Sequence, residues 1–224
     1  MYFVKDFTQK SLEFLNKKYD LFVIGSDQIW NNLNNESYFK FGMFTANKIC
    51  NAPSFIPERV EDQNKLKSLL VSFKHLNVRE EKTAQYVREQ LGLACDSLID
   101  PTLRLTSGDW NHLLPEEDKN DSDYVFVYFL HKEEAYKKVC EQLEREGIKF
   151  ISIFNSNSGN EKYNLTPLQF VAQIRDSKAV ITNSFHGCCF AKIFNKPLTI
   201  YKHNETSDIR YDVFKDYENL KGIY

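Results

Sequence analysis

The chain has 224 residues, enough for one generous domain or for one domain and part of another. Hydrophobic residues make up 42% and charged residues 27%, a balance that excludes a disordered chain. The formal charge of −2, without a basic block, excludes a nucleic-acid surface and an anionic-membrane patch.

In chain order, the first segment, MYFVKDFTQKS, has no extended apolar stretch followed by a cleavage site, so it is not expected to be a signal peptide. Leu21–Ile24 is a short apolar run without alternation, the mark of a strand covered on both faces, and it leads into Gly25, which suits a tight turn. A second strand is expected within Lys48–Phe55. Leu66, Leu69, Leu70 and Phe73 then fall at i, i+3, i+4 and i+7, one buried helix face.

A domain boundary is expected near residues 72–76, followed by a strand ending at Val78-Arg79-Glu80 and a helix carrying Ala84, Val87 and Leu91. Asp100-Pro101 reads as a turn. Tyr124–Leu130 is the longest strongly apolar run, far short of the roughly 20 residues a membrane helix needs. Tyr136, Val139, Cys140 and Leu143 form a further helical stripe, stopped at Gly147, and Lys149–Ile153 is another strand. Residues 155–160 read as a polar loop. Thr166-Pro167-Leu168-Gln169 is a strong helix start, with a capping Thr, Pro at the first helical position and Gln at the third. Ala179–Thr182 is the last clear strand.

This alternation predicts an α/β fold of Rossmann-like parallel sheets with helices on both faces. Its expected parts are an incomplete N-terminal domain over 1–74, a C-terminal domain over 75–205 and a helical tail over 206–224. The five cysteines, Cys50, Cys95, Cys140, Cys188 and Cys189, have no CxxC spacing. Neither a zinc site nor a disulfide framework is expected, and a reducing cytoplasm is the simplest home. The aromatic content, 14% with eighteen Phe and twelve Tyr, fits a thick core and a groove able to stack on sugar rings.

Three clusters concentrate polar chemistry. In residues 179–194 a buried strand ends at Thr182 and a helix begins within a few residues, placing Asn183, Ser184 and His186 where open α/β sheets bind ligands. A helix start there also favours anions. The plainer reading is that Asn183 or Ser184 caps the helix and His186 is structural. In residues 19–31 a strand runs into Ser26, Asp27, Gln28 and Asn31; a cap by Ser26 or Asp27 with Trp30 in the core explains only part of that set. In residues 77–81 Arg79 sits at a strand tip, able to grip a phosphate or carboxylate or to form a surface ion pair with Glu80 or Glu81. Arg210, within residues 207–212, is ambiguous by itself.

Together these segments resemble the polysaccharide pyruvyl transferase family. The resemblance rests on D-x-F-x-x-G-S-D-Q-x-W-N (Asp20–Asn31, with Val23 and Ile24 before the glycine), V-R-E (Val78–Glu80), D-P-T-L (Asp100–Leu103) and T-N-S-F-H-G (Thr182–Gly187), with a similar Arg-bearing segment at 207–212. The family's usual A-A-S-F-G stretch is altered to Ala52-Pro53-Ser54-Phe55-Ile56, and its customary opening strand and Gly/Asn-rich loop are missing.

The resemblance implies a fold like a two-domain GT-B-type glycosyltransferase, with an acceptor-side domain over 1–74 and a donor-side domain over 75–205. It also implies transfer of pyruvate from phosphoenolpyruvate to a sugar or lipid-linked saccharide, as a ketal, in cell-surface or exopolysaccharide biosynthesis. Under it His186 is the expected general acid, and Asp27 either accepts a sugar hydroxyl proton or only orients the acceptor with Gln28. Arg79 and Arg210 would hold the donor with the Ser184 hydroxyl and the helix N-terminus, and Asn183, Ser26 and Gln28 are further expected substrate-binding residues. No cofactor and no metal are expected. The alternatives are a nucleotide-sugar glycosyltransferase of similar fold, or an inactive remnant or interaction module that requires a homodimer or a separate N-terminal segment.

Overall fold

Residues 8–31, 33, 37–116, 123–130, 133–154, 165–202 and 209–223 are described by a computed structural model. The chain divides into two units, Met1–Pro101 and Thr102–Tyr224. The first runs α1 (Gln9–Lys18), β1 (Phe22–Ile24), α2 (Ser37–Lys40), β2 (Lys48–Cys50), α3 (Gln63–Leu70), β3 (Asn77–Val78), α4 (Glu81–Leu91) and β4 (Asp96–Ser97). β1 pairs with β2 and β3 with β4, both in parallel. The strand expected within Lys48–Phe55 is thus limited to its first three residues.

The core of this unit is built by the predicted stripes. Leu66 and Leu70 of α3 and Ala84, Val87 and Leu91 of α4 are buried with Val78, Phe55 and Trp30. The Trp30 indole stacks on Phe41 at 4.5 Å between ring centroids. Phe73 is buried as the stripe requires, although α3 has already ended at Leu70.

The boundary expected near 72–76 falls inside this unit. The reason is visible at Asn77, whose side-chain amide donates to the Cys50 carbonyl and accepts from the Ala52 N–H. The Arg79 N–H donates to the Pro53 carbonyl two residues further on. These bonds fasten β3 to the segment after β2, so the β3–α4–β4 unit packs with residues upstream of it.

The second unit runs α5 (Ser107–Asn111), β5 (Val125–Phe129), α6 (Glu133–Arg145), β6 (Phe150–Phe154), α7 (Pro167–Asp176), β7 (Ala179–Thr182), α8 (Phe185–Ile193), β8 (Leu198–Ile200) and β9 (Leu220–Ile223). The five strands form one parallel sheet in the order β6-β5-β7-β8-β9. Alternate residues of β5 serve opposite faces. Phe126 packs with residues of α7 and α8, whereas Val125, Val127 and Phe129 pack with Val139 and Leu143 of α6. Helices therefore cover both faces, and each fully buried Leu, Val or Phe contributes roughly 1.5–3 kcal/mol over its exposed state.

Local signals act as expected here. Thr166 and Gln169 form a reciprocal capping box with Pro167 behind the cap. Gly147, at φ +66°, ends α6, with the Ile148 N–H returning to the Leu143 carbonyl. The expected helical tail is different: Ile209–Phe214 is a short 3-10 turn, and Leu220–Ile223 adds to β8 as the sheet's edge strand. A short apolar segment beside an open parallel edge gains ladder hydrogen bonds there that an isolated helix turn would not supply. The polar loop at 155–160 lies outside the described residues.

Candidate active site

The order of the second unit's sheet decides where its ligand face lies. The chain runs from β5 outward to β6, then returns across β5 to β7, so the direction of strand order reverses between β5 and β7. In open α/β sheets the crevice beyond the carboxyl ends of two such strands is the binding position. Thr182, the last residue of β7, donates its hydroxyl to the Tyr128 carbonyl of β5 at 2.6 Å. Asn183 continues the bridge, its Oδ1 accepting from the Leu130 N–H at 2.7 Å.

Helix α8 starts at this crevice. Ser184 is its N-cap, with Oγ accepting from the Gly187 N–H, while the Ser184 N–H donates to Thr182 Oγ1. A Cβ on Gly187 would stand 2.9 Å from Thr182 Oγ1, so the glycine is what lets the helix start this close to the strand it follows. His186 lies in the first turn, half-buried, its ring edge-to-face with Phe185 at 5.4 Å. Arg210, on the 3-10 turn at 209–214, lies with its guanidinium carbon 5.6 Å from the Tyr211 ring centroid. Its charge is felt at the Cys188 thiol, which burial pushes far up and Arg210 draws back down. Ser184 and His186 thus share the start of α8 with Asn183 just before it, and Arg210 lies on the neighbouring 3-10 turn, which the Tyr211 hydroxyl ties to the Asn183 carbonyl. The remaining predicted residues, Ser26, Asp27, Gln28 and Arg79, belong to the first unit.

There Arg79 and Ser26 share a buried polar network. Arg79 donates through Nε to Glu80 Oε1 at 2.8 Å and through a terminal nitrogen to Asp100 Oδ2 at 3.1 Å. Ser26 donates to the same Asp100 oxygen, and Ser54 to the same Glu80 oxygen, each at 2.8 Å. The ion pair with Glu80 is present but buried, not at the surface, with the Arg79 side chain only 4% exposed. Glu81 pairs with Arg88 instead.

Asp27 follows Ser26 with φ +98°, although the tight turn was expected at Gly25. Its carbonyl accepts from the Ser54 and Ile29 N–H groups and its exposed carboxylate from the Gln28 N–H. Gln28 is half-buried, and its Nε2 is enclosed without a hydrogen-bond partner among the described residues. Asn31 has a structural task, accepting from the Ile56 N–H.

Sequence reasoning gave Asp100 little weight and passed over Glu80, Ser54 and Tyr211 as site residues. The available signal was that Asp100, Glu80 and Ser54 each sit inside one of the quoted motifs; only the folded chain brings those motifs to one point. Among the described residues, no group of three or more His, Cys, Asp or Glu is placed to hold a metal ion. None of their helices is long and apolar enough to cross a membrane.

No curated protein and no solved structure matches this chain. A family model described as polysaccharide pyruvyl transferase matches residues 2–204, a span that includes both polar clusters and stops short of the Arg210 segment. With nearly the whole chain covered, including the strand-to-helix turn at Thr182–Gly187, the protein belongs to the polysaccharide pyruvyl transferase family, a family of transferases.

Proposed function

We propose that this protein transfers pyruvate from phosphoenolpyruvate to two hydroxyls of a sugar or lipid-linked saccharide, forming a cyclic ketal, in the assembly of a cell-surface or exported polysaccharide. The observation that carries this reading is the α8 start, where Ser184 caps the helix and His186 lies in its first turn at the reversal point of a parallel sheet, with Arg210 on the 3-10 turn that Tyr211 ties to the Asn183 carbonyl. The family supports the transferase class. The two-domain glycosyltransferase-like architecture and a cytoplasmic setting belong to the same proposal; five free cysteines support the latter.

The chemistry asks for an acid and for cations. The enol carbon of the donor becomes electrophilic only when its methylene takes a proton. His186 supplies that proton in this reading, because imidazole donates protons effectively near neutrality. The resulting oxocarbenium-like centre is attacked by one sugar hydroxyl, which loses its proton to a base, and the carbon–oxygen bond to phosphate breaks. A second hydroxyl closes the ketal and loses its proton in turn. The methylene has become a methyl group, inorganic phosphate is released, and no electrons are exchanged with an outside reagent.

Arg210, Ser184 and the positive end of α8 favour the phosphate. Arg79 is the first unit's cation for an anionic ligand, oriented by Glu80 and Asp100, with the exposed Asp27 carboxylate as base and Ser26 and Gln28 as acceptor contacts. In this reading Arg79→Ala weakens phosphoenolpyruvate binding, and an unchanged affinity would leave Arg79 only its place in the buried network.

Calorimetric titration with phosphoenolpyruvate provides the test. The wild-type protein is expected to bind saturably, Arg210→Ala to weaken binding at least about tenfold, and His186→Ala to bind but abolish transfer in a coupled phosphate-release assay. Absence of binding by well-folded wild-type protein, or normal turnover by His186→Ala, would sink the reading.

A further inference from the structure

We propose that Tyr211 is a positioning residue, fixing Arg210 against the start of α8 through the backbone of Asn183. The inference rests on the donor-binding reading above and deepens it. Asn183 was expected to touch substrate, yet it is buried and committed to the fold on two sides. Its side-chain oxygen holds the end of β5 through the Leu130 N–H. Its carbonyl accepts the Tyr211 hydroxyl at 2.8 Å. One residue, at the point where sheet order reverses, therefore joins three segments: the exit of β5, the β7–α8 turn and the 3-10 turn carrying Arg210.

The ring of Tyr211 completes the attachment. It is 1% exposed, packs edge-to-face on Phe185 with centroids 6.5 Å apart, and lies 6.3 Å from Phe214. At the other end of the 3-10 turn, Lys192 of α8 donates to the Val213 carbonyl. Hydrogen bonds thus tie the turn to α8 through Lys192 and, beside Arg210, to the β7–α8 turn through the Tyr211 hydroxyl. A guanidinium recognises an anion by direction as well as charge, so its usefulness depends on how firmly the backbone below it is held. Phenylalanine in place of Tyr211 would keep the ring packing and remove only the hydroxyl, leaving the Asn183 carbonyl without this donor.

The test uses the full chain and the variants Tyr211→Phe, Arg210→Ala and the double substitution, titrated with phosphoenolpyruvate and, separately, inorganic phosphate. Tyr211→Phe is expected to stay folded by circular dichroism and to raise Kd for both ligands about tenfold, as loss of alignment at a directional contact does. Arg210→Ala should then cost much less in the Tyr211→Phe background than in wild type, because both changes disable the same contact. A Kd within twofold of wild type for Tyr211→Phe, or fully additive effects, would show that the hydroxyl serves only the fold and would overturn the proposal.

Wild-type protein that binds neither ligand would refute the donor-site reading instead. Hydrogen exchange over residues 209–214 then decides the positioning claim by itself. Exchange faster by about fivefold or more in Tyr211→Phe, equivalent to the loss of one hydrogen bond, supports it, and unchanged exchange overturns it.

Discussion

Asp27 occupies a backbone conformation that a side chain other than glycine rarely adopts. Its φ of +98° lies beyond the usual left-handed region, and such residues cost roughly 1–3 kcal/mol. The surrounding bonds over-determine it: the Asp27 carbonyl takes two N–H groups and Asp27 bridges in parallel to Pro53. Glycine would relieve the cost, and the residue retained is an exposed carboxylate beside Ser26 and Gln28. Asp27→Gly is therefore expected to raise stability by about 1 kcal/mol in a urea titration, less what the Gln28 N–H contact contributes. In the proposed reading it also lowers pyruvyl transfer, a stability gain with an activity loss. A variant both more stable and fully active would show that the carboxylate has no catalytic task.

At the scale of elements, the first unit is pinned by charges as well as by apolar packing. Asp100, just beyond β4, takes hydrogen bonds from Ser26 after β1 and from Arg79 after β3, so one carboxylate oxygen fastens the carboxyl ends of separate strands. A buried ion pair contributes little net stability when intact, because desolvating the charges offsets their attraction, whereas removing one partner costs about 3–5 kcal/mol. Asp100→Ala is expected to lose stability of that order in chemical denaturation. Asp100→Asn keeps an acceptor for Ser26 and removes only the charge, so it should lose less. Equal losses would mean that the ion pair with Arg79 dominates, and no loss in either would contradict the buried network.

At the scale of the whole molecule, part of the alkaline response follows from cysteines buried in the first unit's core. Burial raises the Cys50 and Cys95 thiols to about 12 from a model-peptide value of 9.0. The folded state therefore keeps these protons where the unfolded chain releases them. Their contribution is fully present below pH 9 and declines between about 9 and 12, by up to roughly 1.4 kcal/mol per pH unit for each thiol. Urea midpoints measured from pH 7 to 11 should stay level and then fall above 9, and a Cys50→Ala, Cys95→Ala variant should fall less steeply. Parallel curves for the two proteins would assign the alkaline loss to other groups.

Much of the architecture is legible because local chemistry decides it. The apolar runs at Tyr124–Leu130 and Ala179–Thr182 are strands because a parallel sheet covered on both faces tolerates only such runs. The Thr166 capping box and the Gly147 stop act within four residues of themselves. The same locality makes Ser184 and His186 readable as neighbours at a helix start.

What could not be read depends on partners distant in sequence. Asn77 joins β3 to the residues after β2, moving the unit boundary some 25 residues beyond the expected place, and nothing in the local pattern at 72–76 encodes that bond. The edge strand at Leu220–Ile223 exists because an open sheet edge offers it hydrogen-bond partners. Arg79 shows the division most clearly. Its type and its place at a strand tip follow from the sequence, but its engagement by Glu80 and by Asp100, 21 residues away, arises only when folding buries three charges together and each must be satisfied.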